Sequence, residues 1–114
     1  MGNRQRGDYF ERQTKAALMR HGWVVFRVAG SLGPADLVAL RAGKRPLFIA
    51  CKVTPRIDPG ERRALIEAAE KAGARPLMAY RSKRGHVDLW TVHTTTGRGF
   101  HVDTLTGPKA KAEP

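Results

Sequence analysis

Cysteine is almost absent from the chain. Cys51 stands alone among 114 residues, which excludes an internal disulfide framework and any structural zinc site built on paired cysteines. The four histidines have no metal-ligand spacing and form no H-E-x-x-H, so a histidine-based zinc or catalytic centre is not expected. No apolar run approaches the roughly 20 residues of a membrane span, and the basic N-terminus leads into no apolar signal segment. An intracellular, cytoplasmic protein with no membrane partner is expected. Acidic side chains are scarce as well, 10 against 21 Lys and Arg, leaving a formal net charge of +11.

Hydrophobic residues make up 41% of the chain and charged residues only 27%, enough apolar material for a folded domain rather than a disordered basic tail. The length suits one domain. Residues 8–105 are expected to form it, between a mobile basic arm over 1–7 that carries Arg4 and Arg6 and a mobile tail over 106–114. So large a basic excess on so small a domain points to an anionic partner, the nucleic-acid backbone above all. A membrane surface would call for an amphipathic basic helix with large apolar residues opposite, and none is evident.

Asp8 and Glu11 match a D-x-x-E cap, and Phe10, Thr14, Ala17, Leu18 and His21 then recur at helical spacing until Gly22. Trp23 to Ala29 reads as a strand ended by Gly30-Ser31-Leu32-Gly33-Pro34. Asp36 to Arg41 and Leu47 to Lys52 read as a hairpin. Gly60 to Ala72 reads as a second helix with Ala64, Leu65, Ala68, Ala69 and Ala72 on its inner face and Gly73 as its stop. Ile66 falls off that stripe. Pro76 to Arg81 and Val87 to Thr94 give two last strands, so the order αβββαββ is expected: an α/β domain with a mixed central sheet flanked by helices.

A three-residue turn at Gly43, Lys44 and Arg45 would place Asp36 opposite Lys52 and Val38 opposite Ala50, with Cβ atoms about 5 Å apart. A carboxylate and an ammonium then share one face. Glu11, seven residues before Leu18, is expected to point inward toward them. Two half-buried carboxylates at close range are costly unless a cation lies between them. A divalent metal would meet that need.

Pro34-Ala-Asp36-Leu-Val-Ala-Leu, a turn, and Leu47-Phe-Ile-Ala50-Cys-Lys52-Val together resemble the PD-(D/E)XK nuclease motif. With Glu11 in the first helix and Gly30-Ser31 before the Asp, the chain is similar over residues 4 to 92 to the Holliday junction resolvases of the archaeal and phage type. The resemblance implies a restriction-endonuclease-like fold and a homodimer that cuts four-way DNA junctions, a branched DNA substrate, with magnesium or in its place manganese, and no small-molecule cofactor. It implies that Asp36 binds the metal and that Lys52 stabilises the nucleophile or the charge developing on phosphorus. The main-chain carbonyl of Cys51 would complete the metal's oxygen shell, Glu11 would support the metal or its water, and Ser31 would contact metal or phosphate.

Ala50 departs from the motif, which calls for Asp or Glu two residues before the Lys. Loss of that carboxylate is expected to leave this form inactive or weak. One reading makes Ala50 an introduced loss of a metal-binding Glu. The other makes the chain a naturally weak or inactive junction binder, or a protein in which another acid has moved into the site, with Asp58 as the nearby candidate.

Plainer roles stand beside these. Glu11 can serve as a cap, Asp36 as a turn residue and Lys52 as a strand-end charge. Cys51 reads as a core residue, and Gly97-Arg-Gly99 as a turn. Arg4, Arg6, Arg56, Arg62, Arg63, Arg81, Lys83 and Arg84 are the expected phosphate contacts. Ile66, the second helix and Phe100 are the expected dimer surface. Two functions compete with junction resolution: a non-catalytic DNA- or RNA-binding module, and a restriction-like or repair nuclease with the same motif.

Overall fold

The computed structural model of the chain describes residues 3–28, 33–54, 56–81, 86–92 and 101–105, with the backbone alone for 3–8 and 101–105. Helix α1 spans Asn3–Arg20. It therefore begins before Asp8, so residues 3–7 are helical rather than an arm, and Asp8 lies inside the helix, not at its cap. Phe10, Thr14, Ala17 and Leu18 form its buried stripe, and the Thr14 hydroxyl donates to the Phe10 carbonyl at 2.8 Å. The helix stops where Gly22 adopts φ +93°, a conformation that side chains with a Cβ resist.

Six strands follow in register: β1 (Val24–Arg27), β2 (Leu37–Leu40), β3 (Leu47–Lys52), β4 (Arg75–Arg81), β5 (Val87–Thr91) and β6 (His101–Leu105). Helix α2, Pro59–Ala72, separates β3 from β4. The sheet runs β1-β2-β3-β4-β5-β6. All neighbours are antiparallel except β3 and β4, which are parallel. That one parallel seam requires the long crossover α2 provides. The mixed α/β sheet is the expected class, with β6 as an added strand. Its short run follows the Gly97-Arg-Gly99 segment, which lies outside the described residues.

Alternation along β3 sorts the two helices. Leu47 and Ile49 join the cluster that holds Phe10 and Leu18 of α1, with Cys51 packed against it. Ala50 lies in a second cluster with Ala35 and with Leu65 of α2, against which Phe48 packs. Residues 48, 50 and 52 thus face α2, and 47, 49 and 51 face α1. On α2 the buried residues are Leu65, Ile66 and Ala69, whereas Ala64 and Ala72 are exposed. The inner stripe is rotated from the expected one, and Ile66 packs inward instead of offering a free surface.

Among the described residues no helix is long and apolar enough to cross a membrane.

Candidate active site

Asp36 stands just before β2, where Pro34 cannot donate a hydrogen bond to a neighbouring strand. Its own backbone continues the sheet in both directions: its N–H donates to the Ile49 carbonyl at 2.8 Å and its carbonyl accepts from Val28 at 2.9 Å. Its side chain continues the pattern, since Oδ2 accepts the Cys51 N–H at 2.8 Å. The carboxylate is therefore fixed to β3 through a backbone donor. Burial pushes the Asp36 carboxyl above its ordinary range, and the bond from Cys51 and the charge of Lys52 pull it back.

The register differs from the one expected of the hairpin. Leu37 pairs with Ile49, Val38 with Phe48 and Ala39 with Leu47, which carries Asp36 toward Ala50 instead of Lys52. The connection occupies residues 41–46, longer than a three-residue turn. The Arg45 guanidinium holds it against α2's end by donating to the carbonyls of Gly73 and Ala74 at 3.3 and 3.1 Å. Ala50 and Lys52 share one face of β3, and Asp36, just outside the paired residues of β2, lies within reach of the Lys52 charge.

Lys52 ends β3 in parallel register with Tyr80, and its Nζ donates to Glu61 Oε2 at 2.6 Å. Glu61, in the first turn of α2, is a partner of Lys52 that motif reading does not reach. Its sequence signal is weak: an acid three residues after Asp58, which reads as ordinary helix-start charge. Asp58 itself is exposed and caps α2, with Oδ2 accepting from Gly60 N–H at 3.2 Å. It does not enter the site.

Glu11, on α1, accepts from Arg27 at 3.0 Å, and the charge of Arg27 also reaches Asp36. The Cys51 side chain lies toward α1, and burial first, with the charges of Asp36 and Glu11 second, keeps its thiol protonated. Ala50 is fully enclosed by Ala35 and Leu65. Ser31, Lys83 and Arg84 lie outside the described residues, and Arg4 and Arg6 belong to the part of α1 described by backbone alone. Arg56, Arg63 and Arg81 are exposed and Arg62 is half-buried. Because β3 and β4 are parallel, Lys52 and Arg81 leave the sheet at the same end, where α2 begins with Arg62 and Arg63.

This end of the sheet thus gathers one anchored carboxylate, one lysine, a second carboxylate from α2 and several arginines. Such a set can hold a phosphodiester, offset charge on it and bind a hard cation.

The family model described as archaeal Holliday junction resolvase (Hjc) matches residues 2–111. The crossover junction endodeoxyribonuclease Hjc of Methanocaldococcus jannaschii is 35% identical over 79 residues, which span 66% of this chain and 58% of that protein. The chain thus matches less than two thirds of this relative's length. Among solved structures, Hjc from Archaeoglobus fulgidus, a Holliday junction resolvase from an archaeal hyperthermophile, superposes with a TM-score of 0.69 at 27% identity, covering 88% of this chain and 95% of that one.

Proposed function

The chain belongs to the archaeal Holliday junction resolvase family, and we propose that it is an intracellular, homodimeric endonuclease that cuts four-way DNA junctions with a divalent metal ion, magnesium or in its place manganese. The observation that carries this is the Asp36 carboxylate, bonded to β3 through Cys51 N–H and within reach of the charge of Lys52 at the strand's end.

The donor chemistry suits a hard cation. Asp36 and Glu61 offer carboxylate oxygens and the Cys51 main chain a carbonyl. Among the described residues no three His, Cys, Asp or Glu side chains converge as a metal cluster. Magnesium does not require one, since it is bound through one or two carboxylates and otherwise through waters and substrate phosphates. Asp36 and the Cys51 carbonyl would hold it. When bound, such an ion polarises the phosphoryl group and acidifies a water. Asp36, with Oδ2 tied down, presents its other oxygen in a set direction. Lys52 places a positive charge where the phosphorane's negative charge develops. Glu11 supports the metal or its water, Ser31 contacts phosphate or metal, and Arg4, Arg6, Arg56, Arg62, Arg63, Arg81, Lys83 and Arg84 bind the DNA backbone. Position 50 supplies no carboxylate, so the strands by themselves make a weakened cutter.

A homodimer matches a junction's two symmetry-related cuts. The surface that supports it is the α2-side face of β1 and β2, where Val24, Phe26 and Leu40 are exposed, in place of Ile66. Phe100 lies outside the described residues.

Mobility shifts on a four-way junction, a linear duplex and a structured RNA, followed by cleavage with magnesium, test the function. Clear preference for the junction and paired nicks are expected. Equal retention of all three nucleic acids would favour a general binding module, and junction retention without any cleavage a non-cutting binder, the reading Ala50 favours.

A further inference from the structure

The motif's second carboxylate is missing from β3, and its place is filled. The Ala50 methyl is enclosed by Ala35 and Leu65, so α2 packs directly over the position from which an acidic side chain would have extended. The same helix brings an acid of its own. Asp58 caps α2 and Pro59 opens it, which sets the phase of the first turn so that Glu61 points back at the sheet. There Glu61 Oε2 accepts from Lys52 Nζ at 2.6 Å, and its charge reaches Asp36. Glu61 therefore faces the two residues that a carboxylate at position 50 would have to serve.

We propose that Glu61 is the second carboxylate of the active site, delivered by α2 in place of residue 50 of β3. The proposal rests on Asp36 and Lys52 being the phosphodiester-cleaving centre. Asp58 is exposed and bonded to its own helix. Glu11 comes from α1 and pairs with Arg27. Glu67 and Glu70 are exposed further along α2.

The carboxylate acts in two ways. It orients the Lys52 ammonium, whose long side chain would otherwise sample many rotamers. It also adds hard oxygen next to Asp36, which raises the affinity for a divalent cation. A merely structural ion pair between two partly exposed side chains would leave cation affinity unchanged and would contribute little to stability.

Manganese alone, titrated into the full chain and followed by calorimetry, separates these roles. Folding of each variant is checked by circular dichroism, and junction retention without metal is measured in parallel. Glu61→Gln is expected to weaken manganese binding at least tenfold, as Asp36→Asn does, with Glu61→Asp retaining part of the affinity and junction retention unchanged throughout. Manganese affinity that is lost with Asp36→Asn yet unaltered by Glu61→Gln overturns the role of Glu61 alone. Affinity indifferent to both substitutions, or no manganese uptake by the unaltered chain, overturns the catalytic reading of Asp36 and this proposal with it.

Discussion

Ala50 lies at the point where two demands on one residue separate. Its strand neighbour Lys52 reaches the surface, but the methyl itself has no exposure and touches Leu65 of α2. Ala50→Glu would add a long charged side chain where no space is open, combining overpacking with an expensive carboxylate. A loss of at least about 2 kcal/mol is expected, seen as a lower midpoint in thermal or denaturant unfolding. An unshifted midpoint would mean that α2 yields easily at Leu65. At this scale the sequence is legible where chemistry and alternation suffice: Asp36 and Lys52 come to the same end of the β2–β3 pair, where their charges interact. The exact partner is not. The 41–46 connection, tied to α2 through Arg45, moved the pairing by two residues, and nothing in Gly43-Lys44-Arg45 announces that tether. The pairing of Glu11 with Arg27 of β1 is likewise not announced by the helical spacing of Glu11.

The second helix is the element on which the site depends. Its start is specified locally by an Asp58 cap and Pro59, and its end by Gly73 at φ +70°, all readable from residue type. Asp58→Ala is expected to cost about 1 kcal/mol, measured as a shift in the unfolding midpoint. An unchanged midpoint would show that tertiary packing at Leu65 and Ala69 fixes the first turn unaided. The rotation of the buried stripe was less legible. Alanines at 64 and 72 look as apolar as those at 68 and 69, and a small side chain gives packing little preference between inside and outside. Ile66 is large enough to decide, and the sheet takes it. Strand β6 was missed because it is short and its alternation follows a glycine-rich stretch that reads as a turn.

Seen as a whole, the sheet is covered unevenly. Helix α1 covers one face beneath β1 to β3, while α2 covers the other only near β3 and β4, leaving Val24, Phe26 and Leu40 exposed along the β1 and β2 end. The proposed dimer would bury that strip. Phe26→Lys is expected to shift the sedimentation coefficient from dimer toward monomer while leaving the far-ultraviolet spectrum unchanged. A dimer that persists would place the contact elsewhere. The net charge of +11 predicted an anionic partner, but composition carries no coordinates. Only the parallel seam, which brings Lys52, Arg81 and the start of α2 to one edge, indicates where phosphates meet acid.

The contact between Lys52 and Glu61 also joins two parts of the chain that can separate independently. One belongs to a strand in mid-sheet, the other to the outermost turn of a helix, where local opening requires far less free energy than global unfolding. Fraying of that turn would remove the proposed second carboxylate and displace Arg62 and Arg63, while the sheet and Asp36 stayed intact. On the proposed reading of Glu61, the capacity to cut would then depend on the order of a helix end as well as on the sheet that carries Asp36 and Lys52.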